Sequence, residues 1–177
     1  MGNTMVVIVM GVTGTGKTTV GSALAQRLHW IFADADDFHS EANRAKMHAG
    51  IPLTDEDREP WLESMHTQIL RWLGEGTNAV LACSALKQQY RDALTAGIQP
   101  TAVRYVLLDG PAATILERLQ QRRGHYMPPS LLPSQLATLE LPQDALRVSI
   151  CLSISAQVDQ IAAGLGLSGY PEGKEEA

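Results

Sequence analysis

Residues 5–19 read MVVIVMGVTGTGKTT. The apolar run Val6–Met10 passes directly into Gly11-Val12-Thr13-Gly14-Thr15-Gly16-Lys17-Thr18, with Thr19 next. G-x-x-x-x-G-K-[ST] between a buried strand and a helix is the pattern of a phosphate-binding loop. The glycines let several backbone N–H groups converge on one anion. Lys17 would set a point charge beside the β- and γ-phosphates. Thr18 would offer its hydroxyl to Mg²⁺ at the positive end of the following helix. A glycine-rich turn with a chance lysine is the plainer reading. The strand before the loop and the helical pattern of Thr18–Leu28 after it outweigh that alternative. The stretch predicts binding of a nucleoside triphosphate, with residues Gly11 through Thr19 in contact with it.

Working outward, 177 residues suit one domain, expected over residues 1–167, with 168–177 as a frayed tail that lacks apolar anchors. The net charge of −5 and the absence of a basic face disfavour nucleic acid and anionic membranes as partners. No apolar run approaches a membrane span, and the amino-terminal run leads into the phosphate loop rather than a cleavage site. Cys83 and Cys151 both lie in apolar, strand-like runs and read as buried thiols. The expectation is a reduced, cytoplasmic protein.

Further strand-like runs occur at 30–33, 79–83, 103–108 and 147–152, separated by helical patterns. Ser40 reads as the cap of a helix reaching Ala49. Thr54 and Asp57 have capping-box spacing, with Pro60 in the first turn of a helix whose apolar stripe is Leu62, Met65, Ile69 and Trp72. Lys87–Leu94, a helix opened by Gly110-Pro111, and Ser155–Leu165 complete the set. Alternation of strands and helices predicts an α/β fold, a parallel sheet with helices on both faces. In such sheets the chemistry gathers just after each strand.

After the second strand come Asp34 and Asp36, which on an extended chain would point to one side. One carboxylate would hold magnesium through water and the other accept a proton from an attacking hydroxyl. An acidic solvated turn is the alternative. Asp37 reads as solvent-facing or capping. His39 reads as a structural hydrogen-bonder or a contact to a polar substrate; it lacks zinc-ligand spacing to His29 or His48.

After the third strand, Ser84 reads as a helix cap or a substrate contact, and Lys87 and Arg91 as a basic surface or, with Ser84 at the helix amino terminus, a receptor for carboxylate or phosphate. Arg44, Lys46 and Arg58 add cations on a helical insertion, about 38–76, that would cover the acceptor side. Cations with few aromatics suit a small, anionic, hydroxyl-rich substrate. Arg118, Arg122 and Arg123 lead into a Gly- and Pro-containing excursion, about 122–142, that reads as a lid. Either Arg122 or Arg123 would neutralise charge on the transferring phosphoryl group. Ser155-Ala156-Gln157 after the last strand is the expected adenine edge.

Together MGVTGTGKTTVG (10–21), DADDFH (34–39), N-R-x-K-M (43–47), GIPLTDEDREPWL (50–62), CSALKQQYRD (83–92) and ERLQQRRGHYMP (117–128) resemble the gluconokinases, shikimate-kinase-like phosphate-loop kinases. Leu131–Pro142, with Ser134-Gln135, resembles that family's S-Q-x-x-x-L-E segment in part. The resemblance implies a five-stranded parallel sheet of order 2-3-1-4-5. It also implies ATP and Mg²⁺ dependence, transfer of the γ-phosphate to the 6-hydroxyl of D-gluconate, and often a homodimer. It supports Lys17 and Thr18 on phosphate and magnesium, and Asp36 on the substrate hydroxyls. It also supports Arg58 with Lys87 or Arg91 on the substrate, and Arg122 in the lid. The expected division of labour gives Asp36 the proton and Asp34 the magnesium. Another small-molecule kinase and a nucleotide-dependent switch without turnover are the competing readings.

Overall fold

The computed structural model of the chain describes residues 4–122 and 129–167. Strand β1 (Val6–Met10) lies in the middle of a five-stranded sheet whose order is β2-β3-β1-β4-β5. Its neighbours are β2 (Ile31–Asp34), β3 (Ala79–Ala82), β4 (Val103–Asp109) and β5 (Leu146–Ser149). All pairings are parallel, and Val9 is level with Ala82 on one side and Val106 on the other. The carboxyl ends of the three central strands therefore finish together.

β1 is apolar without alternation because helices cover both of its faces. Val7 and Val9 pack with Val20, Leu24 and Leu28 of α1 (Lys17–Leu28) and with Val158 and Ile161 of α7 (Ile154–Gly164). Val6, Ile8 and Met10 face α3 (Asp55–Gly74) and α4 (Gln88–Thr95). The expected stripe of Leu62, Met65, Ile69 and Trp72 is buried against this second face. The segment expected as one insertion thus divides. α3 is a core helix of the crossover, and α2 (Glu41–His48) is the piece added outside it. Asn43 Nδ2 donates to the Asp57 carbonyl at 2.7 Å, and Lys46 pairs with the Asp57 carboxylate at 2.7 Å. Lys46 is therefore a strut between α2 and α3 rather than a free cation facing the substrate.

The caps expected at Ser40 and Thr54 form: Ser40 Oγ accepts from Asn43 N, and Thr54 with Asp57 completes a capping box. Other local expectations give way. With Thr54 as the cap, α3 starts at Asp55, so Pro60 falls in its second turn. There the missing N–H leaves the Glu56 carbonyl without a helical partner. β5 stops at Ser149, where Ser149 Oγ accepts from Cys151 N and bends the chain, so Cys151 is exposed while Cys83 is buried. A helix unforeseen in the proline-bearing segment, α6 (Leu132–Thr138), buries Leu132 against Ile115 and Leu119 of α5 (Ala112–Gln121). Of the expected lid, residues 123–128, including Arg123, lie outside the described residues, as does the tail 168–177.

Candidate active site

The phosphate loop turns between β1 and α1 in a backbone that side chains would obstruct. Gly11 has φ +147, and a Cβ there would meet the Leu108 carbonyl oxygen at 2.8 Å. Gly14 has φ +83, and its Cβ would strike Leu119 at 2.8 Å, so α5 presses directly on the loop. Thr15 is buried and donates to the Val12 carbonyl at 2.9 Å, which makes it part of the loop's own frame. Lys17 Nζ folds back onto the same carbonyl at 3.0 Å. Burial lowers the Lys17 pKa to about 8 against the pull of Asp36, Cys83 and Asp34, and Arg122 lowers it further. Val12 and Thr13 complete the turn; Thr18 and Thr19, exposed in the first turn of α1, follow Lys17.

Thr18 donates to Asp34 Oδ2 at 2.6 Å, which joins the end of β1 to the end of β2. Asp34 Oδ1 accepts from Asp36 N at 3.0 Å and caps a 3₁₀ turn, Ala35–Phe38. The two aspartates therefore do not alternate along an extended strand, as β2 ends at Asp34. The cap brings them together instead. Protein atoms crowd the Asp36 carboxyl although the residue is exposed, and that loss of hydration, then the Asp34 charge, raises its pKa. Asp36 is also the largest charge acting on Lys17. Among the described residues no cluster of three or more His, Cys, Asp or Glu side chains forms a metal cage. A hydroxyl and a carboxylate 2.6 Å apart do suit a hard cation that retains most of its waters.

Trp61 fixes the next part of the wall. Its Nε1 donates to the Ala35 carbonyl at 2.7 Å, and its ring stacks on His39 at 4.4 Å and 8°. Burial, then the Arg58 and Arg44 charges, lowers the His39 pKa to about 4, so this imidazole is neutral at physiological pH. Arg44 is exposed and donates to the Asp37 carbonyl at 3.1 Å.

Beyond them Arg58, Lys87 and Tyr90 gather. Arg58 Nη1 donates to the Leu53 carbonyl at 2.6 Å and to the Tyr90 hydroxyl at 3.3 Å. The two cations stand 5.6 and 5.4 Å from the Tyr90 ring centre. Tyr90 escaped the reading of the sequence, although its place three residues after Lys87 on α4 was the signal.

Arg91 does not join this group. It is 3% exposed and donates to the carbonyls of Ala85, Leu86 and Glu140 and to Gln88 Oε1. It builds the β3–α4 loop, including Ala85 at φ +45, in place of the expected substrate contact. Nor does Ser84 cap α4, whose cap position is Lys87. The Ser84 carbonyl accepts from Gly11 N at 3.4 Å and joins that loop to the phosphate loop.

The far end of the nucleotide side is framed by Arg118, which donates to the Ile150 carbonyl at 2.6 Å, and Gln157, which donates to the Leu152 carbonyl at 2.9 Å. Gln157 is 1% exposed, so it shapes the β5–α7 turn from inside instead of presenting its amide to a base. Arg122 is the exposed C-cap of α5, and its ψ of 127 turns the chain out of the helix just after it.

Two residues of α6 and its exit were missed. Gln135 Oε1 accepts from Thr13 N at 2.7 Å, and Glu140 Oε2 accepts from Gln88 N at 2.7 Å at the start of α4. Ser134, Gln135, Leu139 and Glu140 fill every fixed position of S-Q-x-x-x-L-E, a fuller match than the partial one expected. This strap touches both the phosphate loop and the β3–α4 loop.

A phosphate loop with a desolvated lysine, a carboxylate beside it, and a cation–phenol cluster next door define a phosphate-loop kinase for a small acceptor. The AAA domain family model matches residues 6–142. A gluconokinase of Gluconobacter oxydans is 50% identical over 80% of this chain and 80% of that protein. A probable gluconokinase of Rattus norvegicus is 47% identical over 90% of this chain and 95% of its own length. The crystal structure of a gluconokinase from Sinorhizobium meliloti superposes with a TM-score of 0.81 at 38% identity, covering 94% of each chain. The chain belongs to the gluconokinase family. Its fold and strand order are those the resemblance implied, and it is an ATP-using phosphotransferase. Among the described residues no helix is long and apolar enough to cross a membrane.

Proposed function

We propose that the chain phosphorylates D-gluconate on its 6-hydroxyl with ATP, giving 6-phospho-D-gluconate and ADP. The 50% identity to the Gluconobacter gluconokinase is the observation that carries this reading. Asp36 accepts the hydroxyl proton as that oxygen attacks the γ-phosphorus. The new P–O bond forms while the bond to the ADP oxygen breaks. A carboxylate with a raised pKa, next to the lysine that faces the phosphates, suits that proton transfer. Lys17 leaves the Val12 carbonyl to meet the phosphates, and the loop's N–H groups hold their oxygens.

Thr18 and Asp34 would hold Mg²⁺, which when bound neutralises charge on the β- and γ-phosphate oxygens. Arg122, close enough to Lys17 to affect its charge, adds a planar fork to the phosphate oxygens. Arg118 remains at the nucleotide's far side. At the acceptor end, Arg58 and Lys87 take the substrate's carboxylate, and Tyr90, His39 and Arg44 border its hydroxyls.

ADP release coupled to an indicator enzyme, with gluconate, shikimate, glucose or no acceptor, tests the reading. Strong stimulation by gluconate alone is expected. Stimulation by shikimate instead would move the chain to another acceptor class, and acceptor-independent ADP release would mark a nucleotide switch.

A further inference from the structure

Thr54 and Asp57 satisfy the start of α3, so Asp55, the helix's first residue, is not needed as a cap. Its carboxylate turns to the acceptor cluster instead. Oδ1 accepts from the Tyr90 hydroxyl at 2.6 Å and from Lys87 Nζ at 3.3 Å. Oδ2 accepts from Gln89 Nε2 at 3.2 Å, and Arg58 Nη1 lies 3.8 Å from Oδ1. One of the chain's own carboxylates thus sits on the cations and phenol assigned above to the substrate.

The seat is loose. Lys87 stands 3.3 and 3.4 Å from the two oxygens, longer than the ~2.7–2.9 Å of a tight charge-assisted bond, and the Arg58 guanidinium is beyond hydrogen-bond reach. The Asp55 side chain is 49% exposed. From the first turn of a helix it swings away by side-chain rotation, with the backbone undisturbed. It is nevertheless an anion at neutral pH: the Tyr90 hydrogen bond, then that from Lys87, lowers its pKa. The same pairing with Asp55 raises the pKa of Lys87.

We propose that Asp55 is a resident stand-in for the acceptor's carboxylate, gathering Arg58, Lys87 and Tyr90 in the resting enzyme and yielding its place when a polyhydroxy carboxylate docks. The exchange is like for like, one carboxylate for another, so part of the substrate's binding free energy goes into displacing Asp55. This inference rests on the reading of that cluster as the acceptor end.

Steady-state kinetics of Asp55→Asn, with Asp55→Ser as a second variant, test it. The KM for gluconate is expected to fall about two- to fivefold, the scale of one exposed ionic contact, while the KM for ATP holds. Competitive inhibition by acetate, a bare carboxylate probe, is expected to strengthen by a similar factor. A rise in gluconate KM would overturn the proposal, because Asp55 would then support the cluster without competing for it. Unchanged KM in both folded variants would also overturn it, leaving a surface ion pair. If the wild type fails to phosphorylate gluconate, the functional reading falls and the proposal with it. Normal wild-type turnover without a lowered KM in the variants counts against Asp55 alone.

Discussion

The two ends of this site are made of different material. The phosphate end is mostly backbone, one turn between β1 and α1 fixed by positive-φ glycines and braced by α5. The acceptor end is made of side chains from α3 and α4, held by hydrogen bonds and ion pairs that are half exposed. Backbone N–H groups cost little to preorganise against a common ligand such as a triphosphate. Side-chain forks are adjustable, which suits the part of a kinase that must tell one acceptor from another. Substitutions at the phosphate end should therefore act on kcat in large steps, and those at the acceptor end on KM in smaller ones.

Lys17→Ala should break the phosphate end most severely, lowering kcat by about a thousandfold or more with the thermal midpoint retained. A folded variant with near-normal kcat would show that the loop is not the catalytic one.

Asp36→Asn comes next, with kcat expected to fall about 10²–10⁴-fold and ATP binding little changed, since the amide cannot accept the proton. Asp34→Asn should act instead on the apparent Mg²⁺ affinity, read by magnesium titration. Exchanged phenotypes would reverse the division of labour between the two carboxylates. The wild-type pH profile sharpens the same point. Asp36 works deprotonated and its pKa is raised, so kcat should decline on acidification at a higher pH than an ordinary aspartate would give. Lys17 works protonated with a pKa near 8, so kcat/KM for ATP should decline as pH rises through about 8.

Arg122→Lys should lower kcat at least about tenfold with gluconate KM within a few-fold, because an ammonium lacks the planar fork that meets phosphate oxygens. Rates equal to wild type would make Arg122 an ordinary basic helix end.

Arg91→Met should leave the phosphate end intact but cost about 1–3 kcal/mol in denaturant titration, because it strips donors from the buried Ala85 and Leu86 carbonyls. A stable variant with a large KM defect would return Arg91 to the substrate.

The same contrast explains what was legible in the sequence. The phosphate loop, the sheet order and the caps at Ser40 and Thr54 are local or family-wide patterns, and the structure bears them out. Arg91 and Lys87 look alike in sequence, four residues apart on one helix. Only the carbonyls of Ala85 and Leu86 and a contact to Glu140, distant in the chain, draw Arg91 inside. Gln157 is drawn in by the turn after β5 in the same way. For Asp34 and Asp36 the grouping was right and the reason wrong, since a cap on a 3₁₀ turn replaces strand alternation. Gln135 and Glu140 were hidden because their partners lie on the phosphate loop and at the start of α4.

The most direct test of the two-ended account compares kcat/KM for D-gluconate with that for D-glucitol, the open-chain polyol with a hydroxymethyl group in place of the carboxylate. A charge-assisted contact is worth about 1.5–3 kcal/mol, so Arg58 and Lys87 together should favour gluconate at least about tenfold, chiefly through KM. Equal kcat/KM for the two acceptors would contradict a carboxylate-reading acceptor end.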